Sequence, residues 1–275
     1  DYFMKVKLLG TGASEGIPAG FCSCKICEYA REKGGKDLKS RNQALLNDKY
    51  LIDFPQDTYY HTVVHNVNLG KIEHAIITHA HEDHFYPFEL NHRCPPFNLA
   101  PTDYPLNIYG PSSVVEKYNK LSPPIEDKYV RVHRLKAFNQ YKVGELKLIP
   151  LPANHGGEDM ESFIYIIESG GKRLLYGTDS GPFLAESLEA MAGLYFDCLI
   201  LDSNSGFEPA GPYHMNINDN IDLVESLRDL ACVDNKSQVL LTHLNHNSRL
   251  IHEEFERLAK ENGFIAAYDG IELEF

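Results

Sequence analysis

Apolar positions in the first half of the chain come in short alternating blocks bounded by turn formers, a pattern that predicts strands. Residues 5–9 form one such block and run into Gly10-Thr11-Gly12-Ala13-Ser14. Residues 44–54 form another, interrupted at Asn47-Asp48, which predicts a hairpin. Ala75-Ile76-Ile77-Thr78 predicts a short strand delivering the chain to His79. Residues 142–150 and a hairpin over 163–176, turning at Ser169-Gly170-Gly171, begin a second strand group. Residues 198–202 and 239–242 are continuously apolar and predict buried strands. Spacing then changes: Ile221, Leu223, Val224, Leu227 and Leu230 lie on one helical stripe behind a cap at Asn218 or Asp219. Leu250, Ile251, Phe255 and Leu258 make a second stripe, stopped at Gly263, and residues 264–275 return as strands. Residues 85–140, carrying Pro95-Pro96 and Pro123-Pro124, read as loops with one helix over 112–120. Strands first and mixed units later predict an α/β protein of two sheets packed face to face, helices outside.

The length of 275 residues suits one domain with one core, and an apolar fraction of 43 % gives no sign of disorder. No apolar run approaches a membrane span, and the first residues lack the long apolar run of a secretion signal. A cytoplasmic address without membrane contact is therefore expected. Lys and Arg number 26 against 39 Asp and Glu, a formal charge of -13 that disfavours a long nucleic acid as partner. A small anionic substrate stays compatible, because local metal charge outweighs the global field. Cys22, Cys24 and Cys27 fall within six residues, and in a reduced compartment such a trio binds metal more readily than it forms disulfides. Cys94, Cys198 and Cys232 are scattered and read as inert small hydrophobes.

The sharpest signal is His79-Ala80-His81-Glu82-Asp83-His84, three imidazoles and a carboxylate beside a strand end. Imidazole and carboxylate suit zinc, manganese and iron. On an extended segment His79 and His81 face one way and can grip one ion, while Asp83 and His84 at the following turn can reach a second. His155, Asp179 and His243 each follow another expected strand, where loops on a rigid scaffold carry function. The three cysteines are one ligand short of a tetrahedral zinc site, and His246, three residues after His243, can complete a structural Cys₃His site.

The order His-x-His-x-Asp-His, then His155, then Asp179 in Gly177-Thr178-Asp179, then His243 resembles the metallo-β-lactamase superfamily over essentially the whole chain. The resemblance implies a sandwich of two mixed sheets with helices on the outer faces, spanning residues 1–275 as one domain. It implies two divalent ions, one on His79, His81 and His155, the other on Asp83, His84 and His243, with Asp179 bridging. Gly10-Thr11-Gly12, the Cys-x-Cys-x-x-Cys loop, Leu151-Pro152-Ala153-Asn154-His155, His214-Met215-Asn216 and Thr242-His243-Leu244-Asn245-His246 narrow it to PhnP-type phosphodiesterases. In that family the histidine matching His214 is assigned as proton donor. Phe85-Tyr86-Pro87 departs from the family pattern, and residues 85–140 are expected to wall in the substrate as a lid or insert.

The expected activity is hydrolysis of a small cyclic or alkyl phosphodiester, with two zinc or manganese ions sharing a hydroxide aimed in line at phosphorus. His214 is the candidate general acid, with Asp83 and Asp179 beside it in the catalytic set. By position Asp53 and Asp202 are the candidates to orient imidazoles. A ribonuclease-Z-like nuclease and a PqqB-like binding protein are the alternatives; the charge argues against the first and the full ligand set against the second. A homodimer is common in this fold group. The turn at residues 10–16 lacks the Lys-Ser/Thr ending of a P-loop and reads as a tight strand connection. His61, His65, His74, His92, His133 and His252 read as surface or core histidines.

Overall fold

A computed structural model describes residues 3–157 and 160–275 of the chain. The first half supplies β1 (Lys5–Gly10), β2 (Gln43–Leu46), β3 (Tyr50–Ile52), β4 (His74–Ile76), β5 (Leu106–Gly110) and β6 (Val130–Arg134). The second supplies β7 (Tyr141–Val143), β8 (Leu146–Pro152), β9 (Phe163–Ser169), β10 (Lys172–Gly177), β11 (Cys198–Asp202), β12 (Gln238–Thr242), β13 (Ile265–Ala266) and β14 (Glu272–Glu274). One sheet has the order β14-β1-β2-β3-β4-β5-β6 and the other β13-β12-β11-β10-β9-β8-β7. Both are built alike. Antiparallel neighbours lead into parallel ones, at β3 in the first sheet and at β10 in the second. Parallel neighbours need crossovers, and α3 (Ser112–Asn119), α4 (Ala185–Met191), α5 (Ile217–Asp229) and α6 (His252–Glu261) provide four of them.

Side-chain alternation explains the continuous apolar runs. In β11, Cys198 and Ile200 enter the core between the sheets, while Leu199 and Leu201 face the helices. In β10, Leu174 and Tyr176 point inward and Leu175 outward. Leu223, Val224 and Leu227 of α5 and Phe255 and Ala259 of α6 cover that outer face. The first sheet is covered in the same way by Val114 of α3 and by Phe54, Phe85 and Leu90. None of the described helices is long and apolar enough to cross a membrane.

Residues 85–140 differ from the sequence expectation. They contain β5 and β6, two parallel strands that complete the first sheet, and α3 between them. Phe85, placed by sequence where substrate would be walled in, is fully buried in the outer core of that sheet. Its segment pairs with Phe54, through Phe54 N–H to the His84 carbonyl (2.7 Å) and Tyr86 N–H to the Phe54 carbonyl (2.7 Å). The departure at Phe85-Tyr86-Pro87 therefore anchors the histidine motif from behind. The turn after β1 is tight, as expected: a Cβ on Gly10 would collide with the Arg41 carbonyl oxygen.

Candidate metal centre

Four of the candidate ligands sit just past strand ends, on one edge of the sandwich. β4 delivers His79, β8 delivers His155, β10 delivers Asp179 and β12 delivers His243. Asp179 and His243 adopt left-handed backbone conformations (φ 53° and 61°), as does Asp53 after β3 (φ 66°). Non-glycine residues hold that conformation at a cost, so it is tolerated where the surroundings impose it, commonly at functional sites.

The chain brings all seven predicted ligands together. Donor atoms of His79, His81, His155 and Asp179 lie within 4.8 Å of one another, and so do those of Asp83, His84, Asp179 and His243. Asp179 belongs to both groups. Its Oδ2 is 3.3 Å from His79 Nε2, 3.1 Å from His84 Nε2 and 3.7 Å from His243 Nε2; its Oδ1 is 3.2 Å from His155 Nδ1. His81 Nδ1 lies 3.1 Å from both His79 Nε2 and His155 Nε2.

These spacings fit a metal better than a hydrogen-bond network. His84 Nε2, Asp179 Oδ1 and His243 Nε2 are buried without a hydrogen-bond partner despite their close neighbours. Buried polar atoms are rarely left so. Donors about 2.1 Å from one ion stand about 3.4 Å apart at the tetrahedral angle, which is the spacing seen. Burial, with His84 close by, pushes His79 down to about 3, leaving a neutral imidazole with a free lone pair. Burial alone would raise the Asp179 carboxyl, but His243, His214, His79 and His84 outweigh it and hold it well below the usual carboxylate range.

Two further carboxylates stand behind the imidazoles. Asp53 Oδ2 is 2.7 Å from His84 Nδ1, and its Oδ1 accepts from the Thr78 N–H (2.8 Å) and hydroxyl (2.9 Å). Asp202 Oδ2 is 3.2 Å from His243 Nδ1, while its Oδ1 accepts from the N–H groups of Asn204 and Met215. Anchored carboxylates of this kind fix tautomer and ring orientation.

His214 is held just before α5. That helix is capped by Asn216 rather than by Asn218 or Asp219. The Asn216 side chain accepts from the Asp219 N–H (2.9 Å), and the Asp219 carboxylate accepts from the Asn216 N–H (2.9 Å). Asp219 thus serves at the third helical position. His214 Nδ1 lies 3.1 Å from Asp202 Oδ2 and 3.1 Å from Asp179 Oδ1. Burial opposes the charge on His214, but the two carboxylates prevail and raise it to about 10. Asp179, Asp202, His214 and His243 form one more compact donor group.

Cys22, Cys24, Cys27 and His246 also converge, with His246 Nδ1 3.5 Å from both Cys24 Sγ and Cys27 Sγ. Thiolate and imidazole on one zinc stand about 3.6 Å apart, so the spacing fits. Burial disfavours the Cys24 thiolate, yet the Cys27 N–H, His246 and Cys22 outweigh it and bring the thiol down to about 6. Burial pushes Cys27 up to about 11, with Cys24 and Cys22 adding to the shift.

A cavity of about 600 Å³ opens over the two donor groups, lined on its outer side by Ser14, Glu15, Glu82, Asn204 and Asn245. Sequence reasoning did not single out any of these five. Asn204 and Asn245 carried a signal, each lying two residues past a strand-end ligand or carboxylate; Ser14 and Glu15 carried none. No residue from 85–140 lines this cavity. His61 and His252 are buried in the body of the protein, and neither lines the cavity.

The two-sheet sandwich thus carries, along one edge, two donor groups of histidines and aspartates that share Asp179. The family model described as "Beta-lactamase superfamily domain" matches residues 52–244, and the chain belongs to that superfamily. A PhnP-family diphosphatase shares the fold at a TM-score of 0.75 and 24 % identity, over 100 % of this chain and 98 % of its own. Zn²⁺-bound PqqB from Methylobacterium extorquens does so at 0.74 and 17 %, over 98 % and 100 %. Among curated relatives, an octanoyltransferase from Porphyromonas gingivalis is 23 % identical over 98 % of this chain and 51 % of its own length. A ribonuclease Z from a Picosynechococcus species is 29 % identical over 55 % of this chain and 44 % of its own. The chain thus spans about half the length of these two relatives.

Proposed function

We propose that this protein is a phosphodiesterase cleaving a small cyclic or alkyl phosphodiester at two divalent ions, zinc or manganese. Asp179, shared by two donor groups under one cavity, carries this reading. His79, His81 and His155 would hold one ion, Asp83, His84 and His243 the other, and Asp179 both. Bound ions supply an activated water at neutral pH and Lewis-acid stabilisation of charge on the phosphoryl oxygens. The chain does the rest. Asp53 and Asp202 orient His84 and His243 from behind. As water adds to phosphorus and one P–O ester bond breaks, the departing alkoxide needs a proton. His214 lines the cavity, and donation from Nδ1 to Asp202 leaves its Nε2 to carry that proton. One structural neighbour is a diphosphatase, an enzyme that also cleaves a P–O bond, which supports phosphoryl chemistry here and not a diester in particular.

A nuclease reading is disfavoured by the charge of -13 and by the lack of any lysine or arginine among the described residues lining the cavity. A purely binding role is disfavoured because all seven positions carry competent ligand types. The test is hydrolysis of bis(p-nitrophenyl) phosphate by protein loaded with Zn²⁺ or Mn²⁺. Diester turnover that a chelator abolishes and added metal restores is expected. Two bound ions without any diester turnover would sink the proposal.

Cys22, Cys24, Cys27 and His246 are proposed to hold a separate structural zinc pinning the N-terminal loop to the catalytic edge. Cys24→Ser should remove one zinc per chain and lower the melting temperature by several degrees, since a structural zinc contributes folding free energy directly. Metal analysis that still finds three ions per chain in this variant would refute the site.

A further inference from the structure

The outer wall of the cavity has a charge that the proposed chemistry does not explain. A phosphodiester carries one negative charge, and two divalent ions facing Asp83, Asp179 and a shared hydroxide would leave about one positive charge to receive it. Beyond that centre the ionisable side chains lining the rim are Glu15 and Glu82, both exposed, and none is basic among the described residues. Two cations approach from behind and are already engaged. Arg41 donates through Nε to the Ser14 carbonyl (2.8 Å) and through Nη1 to Asp57 (3.1 Å). Lys117 Nζ donates to the Ala80 carbonyl inside the histidine motif (2.7 Å), near enough to Glu82 and Asp83 for their charges to act on it. The remaining rim groups are neutral and polar. Ser14 offers its hydroxyl, Asn204 is buried with its Nδ2 donating to the His243 carbonyl (3.3 Å), and Asn245 braces Glu15 through Nδ2 to Oε2 (2.9 Å).

We propose, on the basis of the phosphodiesterase reading, that Glu15 and Glu82 select diesters whose scissile phosphate is their only anionic group. The second arm of the substrate is uncharged and hydroxylated, matched to the carboxylates, amides and hydroxyl of the rim. A second phosphate on that arm meets two carboxylates, and no basic side chain lines the cavity among the described residues. Glu15 and Glu82 thereby act on specificity and not on the chemical step. Substrates that bear an additional terminal phosphate are turned away.

The discriminating pair of probes is thymidine 5′-(p-nitrophenyl phosphate) and the same molecule bearing a 3′-phosphate, assayed with the metal-loaded full chain. They share the leaving group and the reacting phosphate, so their kcat/KM ratio reads the arm alone. At least about a tenfold preference for the singly charged diester is expected, expressed mainly in KM. Glu15→Gln should reduce the ratio several-fold, and Glu82→Lys should bring it close to one or invert it. Damage to folding or metal loading lowers both rates together and leaves the ratio unchanged. Equal turnover of the two probes by the wild type overturns the proposal, as does a ratio that neither variant shifts. Turnover of bis(p-nitrophenyl) phosphate with neither thymidine diester accepted overturns the hydroxylated arm. Silence of all three probes with two ions bound is a different failure, that of the phosphodiesterase reading itself.

Discussion

Asp179→Asn is expected to lower diester turnover by more than about 100-fold and to leave at most one ion in the catalytic pair. Residues that merely support a metal ligand typically cost about 10- to 100-fold in affinity or activity when removed. Asp179 does more, since its two oxygens reach imidazoles of both donor groups. An asparagine keeps the shape but loses the charge that offsets two cations in a buried site. Metal content and turnover, measured on the same preparation, check the expectation. The useful comparison is Asp202→Ala, expected to fall within the milder range because Asp202 stands behind His243. Should Asp202→Ala also strip an ion, the group formed by Asp179, Asp202, His214 and His243 would itself be a metal site.

His214→Ala should show a loss that depends on the leaving group. An alkyl diester needs its departing oxygen protonated, and general-acid catalysis typically contributes about 10²- to 10⁴-fold. A p-nitrophenoxide leaves readily without a proton, so on bis(p-nitrophenyl) phosphate the variant should retain activity to within several-fold. His214 lines the cavity with its Nδ1 3.1 Å from Asp202 Oδ2, an arrangement that supports the donor role proposed for it. The measurement is kcat for both leaving groups in both proteins, with metal content equalised. An equal loss on both would show that His214 positions substrate or metal and transfers no proton.

The helices that sequence reasoning found were the amphipathic ones: a stripe such as Leu223, Val224 and Leu227 is a local pattern. Of the shorter helices α3 was found, whereas α1 (Lys25–Lys33), α2 (Thr58–Val64) and α4 escaped, since little more than two turns of periodicity makes a weak pattern. The cap of α5 was misplaced by two residues. Asn216, Asn218 and Asp219 are all good cap types, and only the reciprocal bond between Asn216 and Asp219 distinguishes them. The strands β5 and β6 were missed for another reason. β5 mixes Asn107 and Tyr109 with its apolar residues between Pro105 and Pro111, and β6 carries Arg131, His133 and Arg134, so neither shows the continuous apolar run that betrayed β11 and β12.

By itself the sequence determined which residue types could carry the chemistry and in what local order. His79 to His84 sit in six residues, the three cysteines in another six, and the buried strands betray themselves by apolar runs. Such features depend on neighbours along the chain, and local spacing suffices to state them. Only the tertiary structure decided that Asp179, nearly a hundred residues past the histidine motif, stands between two donor groups. It alone set His246 against Cys24 and Cys27, placed Glu15 beside Asn245 across 230 positions, and made two stretches of residues 85–140 strands of the first sheet. Those outcomes arise where strands from distant parts of the chain end on the same edge. Their positions are fixed by sheet register and packing, which no local pattern of residues encodes.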